Sequence, residues 1–352
     1  MNQLPEDIRD LLLKGTVIPA HPLALDTNRK LDEKHQRVLT RYYIDSGAGG
    51  IAVGVHTTQF EIRLPKYNLY EQVLRIASEE VKASKMKRPF IKVAGITGPT
   101  DQAVREAQVA RSLNYDIGLL SNGGLPDYTE EQLIERVSRV SEIIPVFGFY
   151  LQPAVGGRIL SFEFWKKFAA NQNVHAIKVA AFNRYQTLDV VRAVCQSDRV
   201  DDIALYTGND DNIVADLLTP YRFEHNGKVV VKKFVGGLLG HWAFWTKKAV
   251  ELLEQLKDID PKSMGIMLAR GIEITDANAA VFDPANQYHG CITGINEVMR
   301  RQGLLKTNLC LEEKEHLSPG QAEEIDRVHR AYPHLHDDTF VKENLNRWLD
   351  QE

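Results

Sequence analysis

Cysteine is scarce in this chain, and the little there is does not pair. The 352 residues contain three cysteines, Cys195, Cys291 and Cys310. Their number is odd and their spacing is not that of metal ligands, which reads as a reducing compartment without a disulfide framework. No apolar stretch is long enough to span a bilayer. The opening Met1-Asn2-Gln3-Leu4-Pro5-Glu6-Asp7 has neither the basic start nor the apolar core of a secretory signal. Charge of one sign is also missing. With 43 Lys and Arg against 47 Asp and Glu, the net charge of −4 leaves no basic footprint for nucleic acid or an anionic membrane. There is no internal repeat and no low-complexity segment. These absences together predict a soluble, cytoplasmic, globular protein with no nucleic-acid or membrane partner.

What is present is an alternation of short apolar runs with longer amphipathic segments. A short opening helix, Pro5 to Leu13, precedes a first strand at Thr16-Val17-Ile18-Pro19-Ala20. Leu31 to Asp45 carries apolar residues at helical spacing. Gly47-Ala48-Gly49-Gly50 stops that helix before a second strand, Ile51 to Gly54. Further strands are expected at Pro89–Gly95, Tyr115–Leu120, Pro145–Tyr150, Val174–Ala181, Ile203–Gly208 and Lys228–Phe234, with a helical segment before each except the last, the one before Ile203 running from Asp189 to Cys195. One of those helices opens on Thr129-Glu130-Glu131-Gln132, the pattern of a capping box. Such alternation implies parallel strands with right-handed crossovers, and eight of them close a (β/α)₈ TIM barrel. A doubly wound open sheet is the alternative that periodicity leaves standing. From Trp242 onward only helical segments follow, one of them announced by Ser318-Pro319-Gly320-Gln321. The expected organisation is therefore a barrel over residues 1–240 that carries the site, with a helical C-terminal extension over 241–352 packed on it.

One residue stands out in this pattern. Lys178 is the only full charge in the apolar run Val174-His175-Ala176-Ile177-Lys178-Val179-Ala180-Ala181. Burying an ammonium costs several kcal/mol, so an apolar strand that carries one needs an explanation. Two readings explain it. The amine is desolvated, its pKa falls, and it forms a Schiff base with a carbonyl; or the stem packs while the head reaches water. In a barrel, catalytic side chains come from the C-terminal ends of the strands. Tyr150 ends the fifth strand, one βα unit before Lys178, so both are expected at the same rim. A phenol there could relay the protons that carbinolamine formation and dehydration require; a packed ring with a solvated hydroxyl is the plainer alternative.

At these residues the chain resembles the dihydrodipicolinate synthase / N-acetylneuraminate lyase family of class I aldolases. The resemblance covers about Gly15 to Gly240 and, weakly, the helical tail. Val17-Ile18-Pro19-Ala20 with Lys30-Leu31-Asp32 looks like the family's first strand and the start of its helix. Gly47-Ala48-Gly49-Gly50 looks like the family's glycine entry to the second strand. Tyr150-Leu151-Gln152-Pro153 is similar to its Tyr-Asn-x-Pro element, and His175-Ala176-Ile177-Lys178 to its Gly-Ile-Lys Schiff-base strand. The resemblance implies Lys178 as nucleophile, Tyr150 as proton relay, a 2-oxo acid as the carbonyl substrate, and a homo-oligomer. It implies no metal and no organic cofactor, because the protonated imine is itself the electron sink.

The departures narrow this. Where the family carries Gly-Thr-Thr-Gly-Glu to grip the substrate carboxylate, this chain has Gly54-Val55-His56-Thr57-Thr58-Gln59. Matching on Gly54 places Val55 at the relay threonine, ungapped counting places His56 there, and a one-residue insertion brings Thr57 and Thr58 onto the pair. Ser121-Asn122-Gly123-Gly124 replaces the second tyrosine of the synthases. Val155, with Arg158 nearby, stands where they carry a dicarboxylate-binding arginine. These changes argue against the lysine-pathway synthase.

Other candidates are Gly208 and Asp210 after the seventh strand, for a hydroxyl-rich substrate or simply a solvated loop. Gly237, in Gly236-Gly237-Leu238-Leu239-Gly240, could belong to an anion cradle or to a loop that passes close to the barrel. His334-Leu335-His336-Asp337-Asp338 has metal-like residue types but reads as a solvated tail. The expected function is a Schiff-base lyase acting on a 2-oxo acid or sugar-acid derivative by aldol cleavage, condensation or dehydration. The alternative is a barrel with impaired catalysis that binds a small molecule.

Overall fold

The computed structural model describes residues 3–351. Its strands are β1 (Val17–Pro19), β2 (Gly50–Val53), β3 (Ile91–Ile96), β4 (Ile117–Ser121), β5 (Val146–Leu151), β6 (Val174–Ala180), β7 (Ala204–Thr207), β8 (Tyr221–His225), β9 (Lys228–Lys232) and β10 (Phe234–Leu239). The helices up to the seventh are α1 (Glu6–Lys14), α2 (Glu33–Ser46), α3 (Tyr70–Ala83), α4 (Thr100–Ser112), α5 (Glu130–Ser141), α6 (Phe162–Ala170) and α7 (Arg184–Cys195). The rest are α8 (Ile213–Leu218), α9 (Thr246–Lys257), α10 (Met264–Phe282), α11 (Cys291–Arg301), α12 (Gln321–Ala331) and α13 (Asp338–Asp350).

Eight of the strands form one sheet in the order β1-β10-β7-β6-β5-β4-β3-β2. The pairings β3·β4, β4·β5, β5·β6, β6·β7 and β7·β10 are parallel. A parallel bridge between Ala20, just beyond β1, and Ala52 of β2 joins the two ends of that order. With a helix between successive strands, this is a (β/α)₈ TIM barrel followed by a C-terminal helical region.

The eighth strand is not the one the sequence suggested. Lys228–Lys232 does not enter the barrel; it pairs antiparallel with β8 in a separate two-stranded ribbon, and β10 takes the barrel position. The turn is Asn226-Gly227, both at positive φ, as a two-residue hairpin of mirror-image type requires. Val229 and Val231 are 58% and 49% exposed, so this valine run is not core. The Asn-Gly dipeptide between two β-rich runs was the signal for a hairpin.

Helix starts follow local capping. The Thr129 hydroxyl accepts from the Gln132 N–H at 3.2 Å while the Gln132 side chain accepts from the Thr129 N–H at 2.8 Å, closing the capping box. The α7 helix begins at Arg184, ahead of the expected Asp189, because the Asn183 side chain accepts from the N–H groups of Tyr185 and Gln186. The expected start at Pro319 shifts to Gln321. The Ser318 hydroxyl is engaged with Asp283 at 2.5 Å, and Gly320 takes the left-handed conformation at the cap.

Contacts divide the chain into two compact units. One runs up to Thr16 and resumes over Pro89–Leu238; the other takes Val17–Arg88 and resumes from Leu239. In the first, the Tyr206 hydroxyl donates to the Leu12 carbonyl at 3.0 Å, pinning α1. Gly236 is obligatory there, since a Cβ would lie 2.4 Å from the Thr16 carbonyl oxygen. In the second, α13 seats on α2. Trp348 meets the Tyr42 ring edge-on at 5.7 Å, Arg41 donates to the Trp348 carbonyl, and the Tyr42 hydroxyl donates to Asp337 at 2.8 Å. Among the described residues, no helix is long and apolar enough to cross a membrane.

Candidate active site

Lys178 lies on β6 and is 8% exposed. Register decides its company. In the parallel pairing of β5 with β6, Phe149 stands opposite Lys178 and Tyr150 opposite Val179. Residues in register share a face and their chain neighbours take the other. The face of Phe147, Phe149 and Leu151 is thus the face of Ala176, Lys178 and Ala180. The ammonium sits over the Phe149 ring, 4.4 Å from its centroid, a cation–π contact.

The space around the stem is set by Gly208, whose Cβ, if it had one, would lie 2.6 Å from Lys178 Cε and 2.9 Å from the Ala180 Cβ. Gly208 therefore makes room for the lysine. Burial pushes the amine from 10.5 down to about 8, opposed by the attraction of the Asp210 carboxylate. The desolvated amine anticipated from the apolar run is present, and the alternative of a head in open water is not.

Tyr150 is not beside it. Its side chain leaves the opposite face of β5, where its ring packs 5.3 Å from Trp165 of α6 and its hydroxyl accepts from the Leu160 N–H at 3.3 Å. It is fully buried there, and desolvation raises its pKa. The expectation of one shared rim fails for a simple reason. Strand neighbours alternate faces, and every residue of β5 is buried, so the sequence offers no polar alternation from which to read the parity.

The loop after β7 is held from below by Asp216, which sequence reasoning did not single out. It is fully buried and accepts from the Thr207 hydroxyl at 2.7 Å, Asn209 Nδ2 at 2.9 Å and Asn212 Nδ2 at 3.1 Å. The Tyr221 hydroxyl and the Arg184 guanidinium add to these. Asn209 in turn accepts from the Phe182 N–H at 2.9 Å, linking the loops that follow β6 and β7. Asp210 is half-buried beyond it, and Asp211 is exposed. The Gly237 N–H donates to the Thr16 carbonyl at 3.3 Å, so it is spent on chain pairing rather than turned toward an anion.

The remaining candidates lie in the second unit, on a short 3₁₀ turn, His56–Thr58, that follows β2. The Thr58 hydroxyl accepts from the N–H groups of Gly54 and Val55 at 3.0 and 3.3 Å and donates to the His21 carbonyl at 2.6 Å. One donor and two lone pairs are thereby used, and Thr58 braces its own loop. Thr57 is 3% exposed. His56 is half-buried, with its ring edge-on to Phe60 at 5.8 Å. Gly54 has φ +76°, a left-handed position natural to glycine, and a Cβ there would meet the Tyr70 ring at 3.0 Å.

Comparison with known proteins agrees with this architecture. The family model described as "Dihydrodipicolinate synthetase family" matches residues 14–220. No match occurs among curated proteins. Among solved structures, a dihydrodipicolinate synthase from Oceanobacillus iheyensis superposes with a TM-score of 0.72 at 18% identity, covering 93% of this chain and 99% of its own. An N-acetylneuraminate lyase from Fusobacterium nucleatum, complexed with pyruvate, has a TM-score of 0.71 at 16% identity, with 92% and 99% covered. A prophage protein of the dihydrodipicolinic acid synthase family from E. coli K12, in complex with pyruvate, has a TM-score of 0.71 at 17% identity, with 91% and 98% covered. At such identities the superpositions speak for the fold alone, but the family match takes in more than half of the sequence, including the lysine strand, and the chain belongs to the dihydrodipicolinate synthetase family.

Proposed function

We propose that this protein is a Schiff-base lyase in which Lys178 is the nucleophile and a 2-oxo acid, or a sugar acid bearing that group, is the substrate. The observation that carries the reading is the lysine itself: a buried amine on a barrel strand, beside an aromatic face, with its pKa brought down to about 8. Family membership supports the reaction class. The pyruvate held by two of the structural relatives supports a 2-oxo acid as the carbonyl partner.

In this reading the neutral amine attacks the carbonyl carbon, and the carbinolamine loses water to give a protonated imine. That cation withdraws the electron pair released when the neighbouring carbon–carbon bond breaks, or supplies the enamine for the reverse condensation. Hydrolysis of the imine frees the product and the lysine. Proton transfer falls to Asp210, the carboxylate that acts electrostatically on Lys178, rather than to Tyr150. Asp210→Asn is therefore expected to lower kcat by about 10²-fold or more, and Tyr150→Phe by no more than about threefold. Steady-state kinetics of the two variants separate the roles, and the opposite ranking returns the relay to the tyrosine.

The direct test of the reading is borohydride reduction in the presence of pyruvate and a panel of 2-oxo acids, followed by intact mass and peptide mapping. One reduced adduct per chain on Lys178 is expected. Absence of an adduct with every carbonyl compound favours the second reading, a barrel that binds a small molecule without turning it over. Two features favour that reading: Phe149, which offers no hydroxyl, is the ring beside the lysine, and the Thr58 hydroxyl is committed to its own loop.

A further inference from the structure

We propose that the Ser121 hydroxyl binds the carboxylate of the 2-oxo acid and so sets the preference for an acid over a neutral ketone. The proposal rests on the Schiff-base reading of Lys178 and names the group that selects the substrate there.

Register brings the serine to the lysine. Ser121 is the last residue of β4 and stands opposite Phe149 of β5, which stands opposite Lys178 of β6. Lys178 is paired in turn with Tyr206 of β7. Side chains in register share a face of the sheet, so these four form one layer across four neighbouring strands. Their face is the barrel interior, because Tyr150, on the other face of β5, packs against Trp165 of α6. Asn122, one residue on from the serine, obeys the same alternation and accepts from Arg136 Nη1 of α5 at 3.2 Å.

Within that layer the serine is the hydrogen-bond donor left for a substrate. Phe149 has no polar atom, Lys178 is the nucleophile, and the Tyr206 hydroxyl donates to the Leu12 carbonyl. Ser121 is 4% exposed, and its Oγ accepts from the Gly123 N–H at 3.2 Å. That bond occupies a lone pair, and among the described residues the hydroxyl proton has no acceptor. Gly123 is obligatory, since a Cβ would lie 2.6 Å from the Gly156 carbonyl oxygen. The loops after β4 and β5 therefore touch at this point and hold the donor in place.

The spacing fits an imine. The ammonium leans over β5, 4.4 Å from the Phe149 ring centroid. From there to a side chain of β4 is about one strand spacing, about 4.8 Å. In the imine of a 2-oxo acid the carboxylate carbon lies two bonds from the nitrogen, about 2.5 Å away. A hydrogen bond from a hydroxyl adds about 2.7 Å, and the two together cover the gap. Such a bond is charge-assisted, so it favours an acid over a neutral ketone. The Thr58 hydroxyl is not available for this task, being spent on its own loop.

The test is borohydride trapping on the full-length protein at graded concentrations of pyruvate and, separately, of 2-butanone, a neutral ketone of similar size. Ser121→Ala is expected to raise the pyruvate concentration for half-maximal adduct on Lys178 by about 10- to 100-fold, the range for losing a hydrogen bond to a charged group. The corresponding 2-butanone concentration should change by less than about threefold, and so should that for pyruvate in Ser121→Thr, which keeps the hydroxyl. Circular dichroism verifies that each variant is folded. A pyruvate requirement unchanged in Ser121→Ala overturns the proposal, and so does an equal rise for both ketones, which marks a structural serine. Both of those results leave Lys178 reactive. Failure of the Schiff-base reading looks different: wild type then forms no adduct with any carbonyl compound, and this proposal falls with it.

Discussion

Lys178→Met is expected to abolish the trapped adduct and turnover while making the protein more stable, by about 2 kcal/mol at pH 7. A buried amine lowered from 10.5 to about 8 is penalised for its charge in the folded protein, and a shift of that size corresponds to about 3 kcal/mol. Methionine fills the same volume without an ammonium to desolvate. It leaves Asp210 without its cation, which reduces the gain. The pH dependence has a definite sign. Below pH 8 the lysine is charged in both states, and the full penalty is present. Between pH 8 and 10.5 the folded protein has released the proton that the unfolded chain still binds, so wild-type stability rises with pH. Above 10.5 both states are neutral and the advantage of methionine is gone. Urea unfolding of both proteins at pH 7 and near 10.5 measures this. A variant less stable than wild type at pH 7, or a difference that does not shrink at high pH, would contradict a desolvated amine.

The second large effect is placed at Asp216. Its carboxylate has no exposed surface and takes hydrogen bonds from Thr207, Asn209, Asn212 and Tyr221 as well as the Arg184 ion pair. Asp216→Ala strands the Thr207 hydroxyl and the Asn209 amide, which have no exposed surface, and breaking a buried pair of this kind costs about 3–5 kcal/mol. Arg184 is 42% exposed at its side chain, so it can rehydrate, and the cost should fall at the lower end. The functional consequence follows from position. Asn209 stands between Gly208, which gives the lysine its room, and Asp210, which acts on its charge. Asp216→Ala is thus expected to lower kcat as well as stability, and Asp216→Asn, which keeps an acceptor, to lower both less. Equilibrium unfolding with steady-state kinetics tests this. A loss under about 1 kcal/mol would show that the network is not what holds the loop.

Much of the architecture could be read from local pattern. Lys178 was conspicuous because a full charge interrupts an apolar run, and the barrel followed from the regular alternation of runs and amphipathic segments. The misreadings have specific causes. Val229-Val230-Val231 looked like core because it is β-branched, but the Asn226-Gly227 turn folds it into a surface ribbon, and the next apolar run enters the sheet instead. The short helix α8 was missed because it spans only Ile213–Leu218, too few residues to display a period. Asp216 lies on that helix, and nothing in its sequence neighbourhood distinguishes it from a solvated aspartate; its donors come from β7, the following loop, β8 and α7.

The sequence by itself determined that Lys178 is the one full charge on an apolar strand of an alternating α/β chain. Composition and local order suffice for that, since both the interrupting charge and the alternation are visible residue by residue. Only the tertiary structure decided what surrounds it. Val146–Leu151 is buried on both faces, so hydrophobic periodicity cannot say which face meets the lysine. Pairing with β6 settles the parity, giving Phe149 to Lys178 and Tyr150 to Trp165. A shift of one residue in that register would exchange the two rings, because the side-chain period of a strand is two.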